Sequence, residues 1–302
     1  MKLSTELLFE KLQTEFTITA YGNLSSADGF LRPFLYDSKP LIDSRPIYEP
    51  LDKSKGITPG HVCLAHGKRL EEFIPHIFEE HFLVLTGTRG DVQKLSSAVF
   101  PYVVLSENTS LSSVLNFLQD IFDFYDDWSN ELNTFLLKND DITLLLHNAL
   151  KIFQNPLSVI SVDFSLIAET GEEKIPEKSR IFSDKEPNID YINALTQDET
   201  YQSFCNSPTP FFFPGYITGI STLTMNIFQN GVPTHRLILY EAQKPITRGE
   251  YCLLSHLAGY VEYLLYHQHI PISGQANDLH RILQATLSDR SADYLDISHQ
   301  LS

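Results

Sequence analysis

Residues 111–153 constrain the fold of this chain more than any other stretch. Leu111, Val114, Leu118, Ile121, Tyr125, Trp128, Leu132 and Phe135 recur three and four apart without a miss. That spacing lines one face of an α-helix. The same register runs on through Ile142, Leu146, Ala149 and Phe153, with Asn139 as a polar interruption. Asp120, Asp123, Asp126 and Asp127 fall on the other side, as a solvated face should. Flanking positions hold Leu115, Phe117, Phe122, Phe124 and Leu136 where a two-stranded coiled coil would carry charges. The stripe is therefore wide enough for a bundle, in which each helix touches two neighbours. We expect helices from two subunits to meet along it in a homodimer. The competing use is packing against this chain's own domains. Asn139-Asp140-Asp141 predicts a break and a fresh helix start, because Asp caps a helix better than it sits inside one.

The rest of the chain is organised around that segment. A length of 302 residues suggests about two domains. With 42% hydrophobic and 20% charged residues, the composition suits folded domains. An apolar pattern in the first sixteen residues predicts a helix (Leu3, Leu7, Leu8, Leu12). Short strand-like runs follow at Pro46-Ile47-Tyr48, Val62-Cys63-Leu64-Ala65, Phe82-Leu83-Val84-Leu85 and Tyr102-Val103-Val104-Leu105, with a helical stretch over 70–78. That alternation predicts an N-terminal mixed α/β domain over 1–108, with at least partly parallel pairing. The helical bundle or linker occupies 109–140.

The segment 141–269 predicts a helix to Gln154, a stop at Asn155-Pro156, a strand over 158–162 and a second over 165–168. A charged loop over 171–187, a helix over 188–204, three strands (211–213, 222–228, 235–240) and a helix over 247–267 complete it. Asn230-Gly231 is a strong hairpin signal. The overall expectation is an α/β (α+β) chain whose second sheet is antiparallel and flanked by helices. Residues 270–302 read as a linker and the start of a further domain, with a short helix over 279–287, as though the chain were cut inside a longer protein.

Charge and cysteine content narrow the function. A formal net charge of −16, with 22 scattered Lys and Arg residues, repels nucleic-acid phosphates. DNA binding by these residues is not expected. Three distant cysteines (Cys63, Cys205, Cys252) fit a reducing, cytoplasmic setting, and no run is long and apolar enough to predict a membrane span.

The candidate catalytic and metal motifs lack the spacing their chemistry needs. His76 and His81 lie about 140° apart around a helix, unlike metal ligands four apart. In a strand, His61 and Cys63 share a face that His66 does not. The loop from Thr86 to Asp91 lacks the Gly-Lys-Ser/Thr ending of a phosphate loop. Cys252 reads as helix core. We therefore expect no enzyme activity, no metal and no cofactor. The aromatic density over 191–216 marks a ligand pocket between that segment and the sheet. Its candidate residues are Tyr201, Phe204, Phe213 and Tyr240, with Asn226 and Arg236 as polar anchors. The alternative is that these aromatics are simply core and Arg236 lies at the surface.

Several of these residues carry a family likeness. Asn155-Pro156, Val159-Ile160-Ser161-Val162-Asp163 and Leu166-Ile167-Ala168 resemble the start of the GAF-like sensor domain in PucR-type and CdaR-type bacterial transcription regulators. Lys244-Pro245-Ile246-Thr247 with its following helix, and the tail from Asp278 to Leu287, are similar to later parts of the same family. Thr58-Pro59-Gly60-His61-Val62-Cys63-Leu64 and Phe82-Leu83-Val84-Leu85-Thr86 look like its N-terminal domain. The resemblance implies a cytoplasmic regulator that binds a small-molecule effector in the GAF-like domain. DNA would be bound only by a C-terminal helix-turn-helix that these residues do not include. A standalone dimeric interaction protein is the other class kept open.

Overall fold

The computed structural model describes residues 1–24, 29–30, 32–35, 60–67, 82–87, 95, 100–106, 108–138, 141–183 and 186–267. The expected strand at 46–48, the helices at 70–78 and 279–287, the pair His76 and His81, most of the loop to Asp91, and the segment 270–302 lie outside the described residues.

Two five-stranded sheets enclose a layer of helices. The first sheet holds β1 (Ile18–Tyr21), β2 (Arg32–Leu35), β3 (His61–His66), β4 (Phe82–Thr86) and β5 (Tyr102–Leu105), in the order β1-β5-β4-β3-β2. Strands β2 to β5 are parallel, and β1 joins the edge antiparallel to β5. The central strands β3 and β4 read as unbroken apolar runs because both their faces are covered. Val62, Leu64, Phe82, Val84, Val103 and Leu105 face the helices and join the main core.

The helix α1 (Thr5–Glu15), capped by Ser4, and α2 (Leu111–Lys138) lie in the helical layer. Arg32 of β2 ties α2 to this sheet through Asp123 at 2.6 Å and Asp126 at 2.7 Å. The stripe expected to face a second subunit has another use. Val114, Leu118, Ile121, Tyr125, Trp128 and Leu132 are buried within the chain, and Leu111 and Phe135 are partly buried against the same core. Side chains closed in by their own chain leave little apolar area along this stripe for a partner subunit. The width of the stripe has the same cause, since α2 touches α1, strands β2 and β3, and two later helices.

The break falls where expected. α3 (Ile142–Phe153) starts behind Asp141, whose carboxylate accepts the Thr143 N–H at 3.0 Å. It ends at Gln154 in the left-handed region (φ 55°). The second sheet then forms from β6 (Leu157–Ser161), β7 (Leu166–Thr170), β10 (Phe211–Phe213), β11 (Thr222–Gln229) and β12 (Val232–Tyr240). It is antiparallel throughout, in the order β10-β11-β12-β6-β7. A small pair, β8 (Phe182–Ser183) and β9 (Glu186–Pro187), lies in the connection from β7. Asn230 (φ 52°) and Gly231 (φ 80°) make the two-residue turn between β11 and β12, where both residues need positive φ.

One face of this sheet (Leu157, Val159, Leu223, Ile227, Leu237 and Leu239) packs on α3 and α6 (Gly249–His267). Helix α6 also meets α1 and α2, so one continuous core runs from Leu3 to Leu264. The contact with α1 is specific. Glu10 accepts the Gly249 N–H at 2.9 Å and the Thr247 hydroxyl at 2.8 Å, supplying a cap from a remote helix. A Cβ on Gly249 would lie 2.9 Å from Leu7 Cα, so glycine sets this approach. Glu250 accepts the Thr247 N–H at 3.0 Å, one half of a capping box.

The α2–α6 contact carries a pH dependence. His256 sits beside Trp128 (5.8 Å between centroids) and bonds Ser129 Oγ through Nε2 at 3.0 Å. Burial, helped by the charge of the N-terminal amine, lowers its pKa to about 4. Above its ordinary value of about 6.5 the ring is neutral folded or unfolded, and the contact keeps its full stability. As pH falls from about 6.5 towards 4, the unfolded chain takes up a proton that the folded chain refuses, and stability is lost. After discounting for solvent screening, we expect His256→Phe to reduce the stability loss between pH 7 and 4.5 by about 1–2 kcal/mol. Urea midpoints at the two pH values measure this, and equal losses in both proteins would disprove it.

Candidate functional site

The other face of the second sheet is the unusual one. Strand alternation points Ser158, Ile160, Thr222, Thr224, Asn226, Arg236, Ile238 and Tyr240 to this side, with Phe211 and Phe213 of the edge strand. Ser158, Thr222, Thr224, Asn226 and Arg236 are all buried there. Buried polar groups cost free energy unless partnered, so a polar sheet face under a cover needs a reason.

The cover is built from three pieces. At the tip of the β6–β7 hairpin, Phe164 adopts positive φ (65°) and lays its ring towards the sheet. The connection after β7 runs through 3₁₀ turns at Glu172–Lys174 and Glu177–Ser179 and brings Ile175, Ile181 and Phe182 over the sheet. Two short helices, α4 (Ile189–Gln197) and α5 (Glu199–Phe204), supply Leu195 and Tyr201. The sequence predicts one helix over 188–204. Asp198 divides it, because its carboxylate caps α5 through the Tyr201 N–H at 2.7 Å and accepts the Tyr216 hydroxyl at 2.7 Å.

Asn226 and Arg236 lie opposite each other on β11 and β12. The Arg236 guanidinium sits 5.4 Å from the Phe164 ring centroid and 5.5 Å from that of Tyr201. Its Nη2 donates to Cys205 Sγ at 3.6 Å, while Nε and Nη1 are buried without a partner among the described residues. Asn226 Nδ2 donates to the carbonyls of Phe204 (2.8 Å) and Ser207 (3.0 Å), and its Oδ1 is likewise unpartnered. Burial raises the Tyr201 pKa against the opposing effect of Arg236.

Two cavities open on this face. One of ≈ 20 Å³ lies among Ile160, Phe164, Leu195, Tyr201, Phe213 and Ile238, room for about one water. A second, of ≈ 250 Å³, lies further along the sheet under the 172–182 connection, bordered by Ser158, Glu169, Arg180, Phe182 and Tyr240. There Tyr240 and Ser158 share a hydrogen bond at 2.9 Å, and burial raises the Tyr240 pKa.

These two cavities are lined by three of the six residues expected to hold a ligand. Tyr201 and Phe213 line the small one, and Arg236 stands beside its walls Phe164 and Tyr201, with Asn226 opposite it on β11. Tyr240 belongs to the larger one. Phe204 stacks on Phe211 at 4.9 Å. Arg236 is buried, not a surface residue. Sequence reasoning passed over Ser158, Thr222 and Thr224, although the alternation of Thr222, Thr224 and Asn226 along one strand was a visible signal. Phe164 gave none, because only the fold brings a hairpin tip over β12.

Away from this face, the His61–His66 strand lies in the first sheet. Cys252 is partly buried in α6, with its thiol pKa raised by burial. Among the described residues, no three His, Cys, Asp or Glu side chains gather as metal ligands would, and no helix is long and apolar enough to cross a membrane.

No family model matches this sequence, and no curated protein does. Among solved structures, the chain is similar to the GAF domain from Acinetobacter phosphoenolpyruvate-protein phosphotransferase, at 8% identity and a TM-score of 0.36. The match covers 50% of this chain and 97% of that one. At that level of similarity, function has to be argued from the site itself.

Proposed function

We propose that residues 141–267 form a small-molecule sensing domain of GAF-like type, serving a cytoplasmic bacterial regulator of the PucR or CdaR kind. The observation that carries this reading is the buried polar face of the second sheet, covered by short, separately capped helices. A packed core would place apolar groups there. A ligand pocket instead combines apolar walls with a few placed polar groups, as this face does.

Sensing also needs a route outward. The opposite face of the same sheet rests on α6, and Thr234 at the start of β12 bonds the Tyr266 hydroxyl at 2.6 Å near the end of that helix. A ligand that prefers one arrangement of the sheet and its cover would bias α6 and, through it, α1 and α2. The output would be DNA binding by a domain beyond these residues. A homodimer would use surfaces other than the buried stripe of α2. Recognition fits this face better than catalysis, because Tyr240 is driven away from acting as a base and its neighbour Ser158 is held by it.

A metabolite library screened by thermal shift tests the reading. A true effector raises the melting temperature and slows hydrogen exchange over 171–183 and 189–204, while β3 and β4 stay unchanged. A library without a stabilising compound, or protection confined to the first sheet, would count against sensing at this face.

A further inference from the structure

We infer that Arg236 and Asn226 together recognise a small monocarboxylate that carries a hydrogen-bond donor and a flat apolar body. The inference rests on the sensing reading above and names the chemistry of its ligand. Arg236 is 5% exposed, yet two of its nitrogens have no partner among the described residues. A buried cation without an anion is destabilising unless something neutralises it, and two aromatic rings do so only in part. A carboxylate fits the edge that the free Nε–H forms with the second hydrogen of Nη2, the first being given to Cys205 Sγ.

Asn226 adds the second requirement. Both hydrogens of its amide nitrogen are engaged by the Phe204 and Ser207 carbonyls, which fixes the flip and leaves Oδ1 as an acceptor in need of a donor. The ligand therefore brings an acceptor for Arg236 and a donor for Asn226. One unpaired cation calls for one negative charge. Arg180, the next guanidinium on this side, borders the other cavity and donates through Nε to the Ile175 carbonyl at 3.1 Å. Phe164 and Tyr201 beside Arg236 belong to the wall of the small cavity, whose lining is mostly apolar with three threonines (Thr218, Thr222, Thr224), so a flat and largely apolar body suits the space. With ≈ 20 Å³ open, such a ligand enters only if the cover over the sheet moves.

The test compares the full chain with Arg236→Met and Asn226→Leu, each with 3-hydroxybenzoate, benzoate, 3-hydroxybenzamide or inorganic phosphate. We expect 3-hydroxybenzoate, at about tenfold its dissociation constant, to raise the wild-type melting temperature by roughly 3 °C. Benzoate should do so less, and both variants should lose the shift. Without ligand, Arg236→Met should melt no lower than wild type, because it removes an unpaired charge. If no probe shifts the wild type, the inference falls, and an Arg236→Met that also melts lower marks Arg236 as a structural residue. Phosphate acting in place of 3-hydroxybenzoate overturns the carboxylate assignment. An equal shift by 3-hydroxybenzamide in all three proteins overturns the charge recognition while leaving the sensing reading intact.

Discussion

Trp128→Ala is expected to cost about 3–5 kcal/mol of folding stability, the range for emptying a buried aromatic site. Trp128 is 1% exposed at the meeting point of α2, α3 and α6, edge-on to Phe153 at 6.2 Å and beside His256. Its position on the apolar stripe makes the experiment decisive between the two uses of that stripe. Phe153 and His256 close it in from within the chain, so the loss should not depend on protein concentration. A residue in a subunit interface would behave differently, with a midpoint that moves with concentration. Urea unfolding at two concentrations a hundredfold apart provides the check. A loss below about 1 kcal/mol, or a concentration-dependent one, would contradict the in-chain packing.

Asn155→Ala should cost about 2–3 kcal/mol, because it strands several buried backbone groups at once. Asn155 is fully buried just after α3. Its Oδ1 accepts the N–H groups of Gln243 (2.8 Å) and Lys244 (3.3 Å), and its Nδ2 donates to the Lys244 carbonyl (2.9 Å). One side chain thus clamps the connection between β12 and α6 to the start of β6. Asn155→Asp keeps the acceptors, loses the donor and buries a charge, so it should be no milder. Before global unfolding, both variants should exchange amide hydrogens faster over residues 241–248. An unchanged urea midpoint for Asn155→Ala would refute the clamp.

These two residues also show how far the sequence could be followed. Trp128 belongs to a stripe of helical period, and that period alone makes α2 a helix with one buried face. The same holds for the Asn230-Gly231 turn, the Asp141 cap and the alternating strands of the second sheet. What covers the stripe was not legible. A partner subunit and the chain's own strands would select the same apolar residues, because burial is non-directional. Asn155-Pro156 reads locally as a helix stop, and nothing nearby announces that its amide is spent on residues almost ninety positions away.

The candidate site divides in the same manner. The aromatic run through Phe213 and the pair Asn226 and Arg236 stand out in the sequence. That Arg236 is buried opposite Asn226, whose Oδ1 has no partner among the described residues, and under Phe164 and Tyr201, depends on strand register and on a hairpin tip folding over the sheet. Local patterns determined the helices, turns and two-faced strands, because side-chain period and capping act within a few residues. The tertiary structure alone decided which faces meet and which polar groups are enclosed without partners, because those outcomes follow from long-range packing that no local pattern encodes.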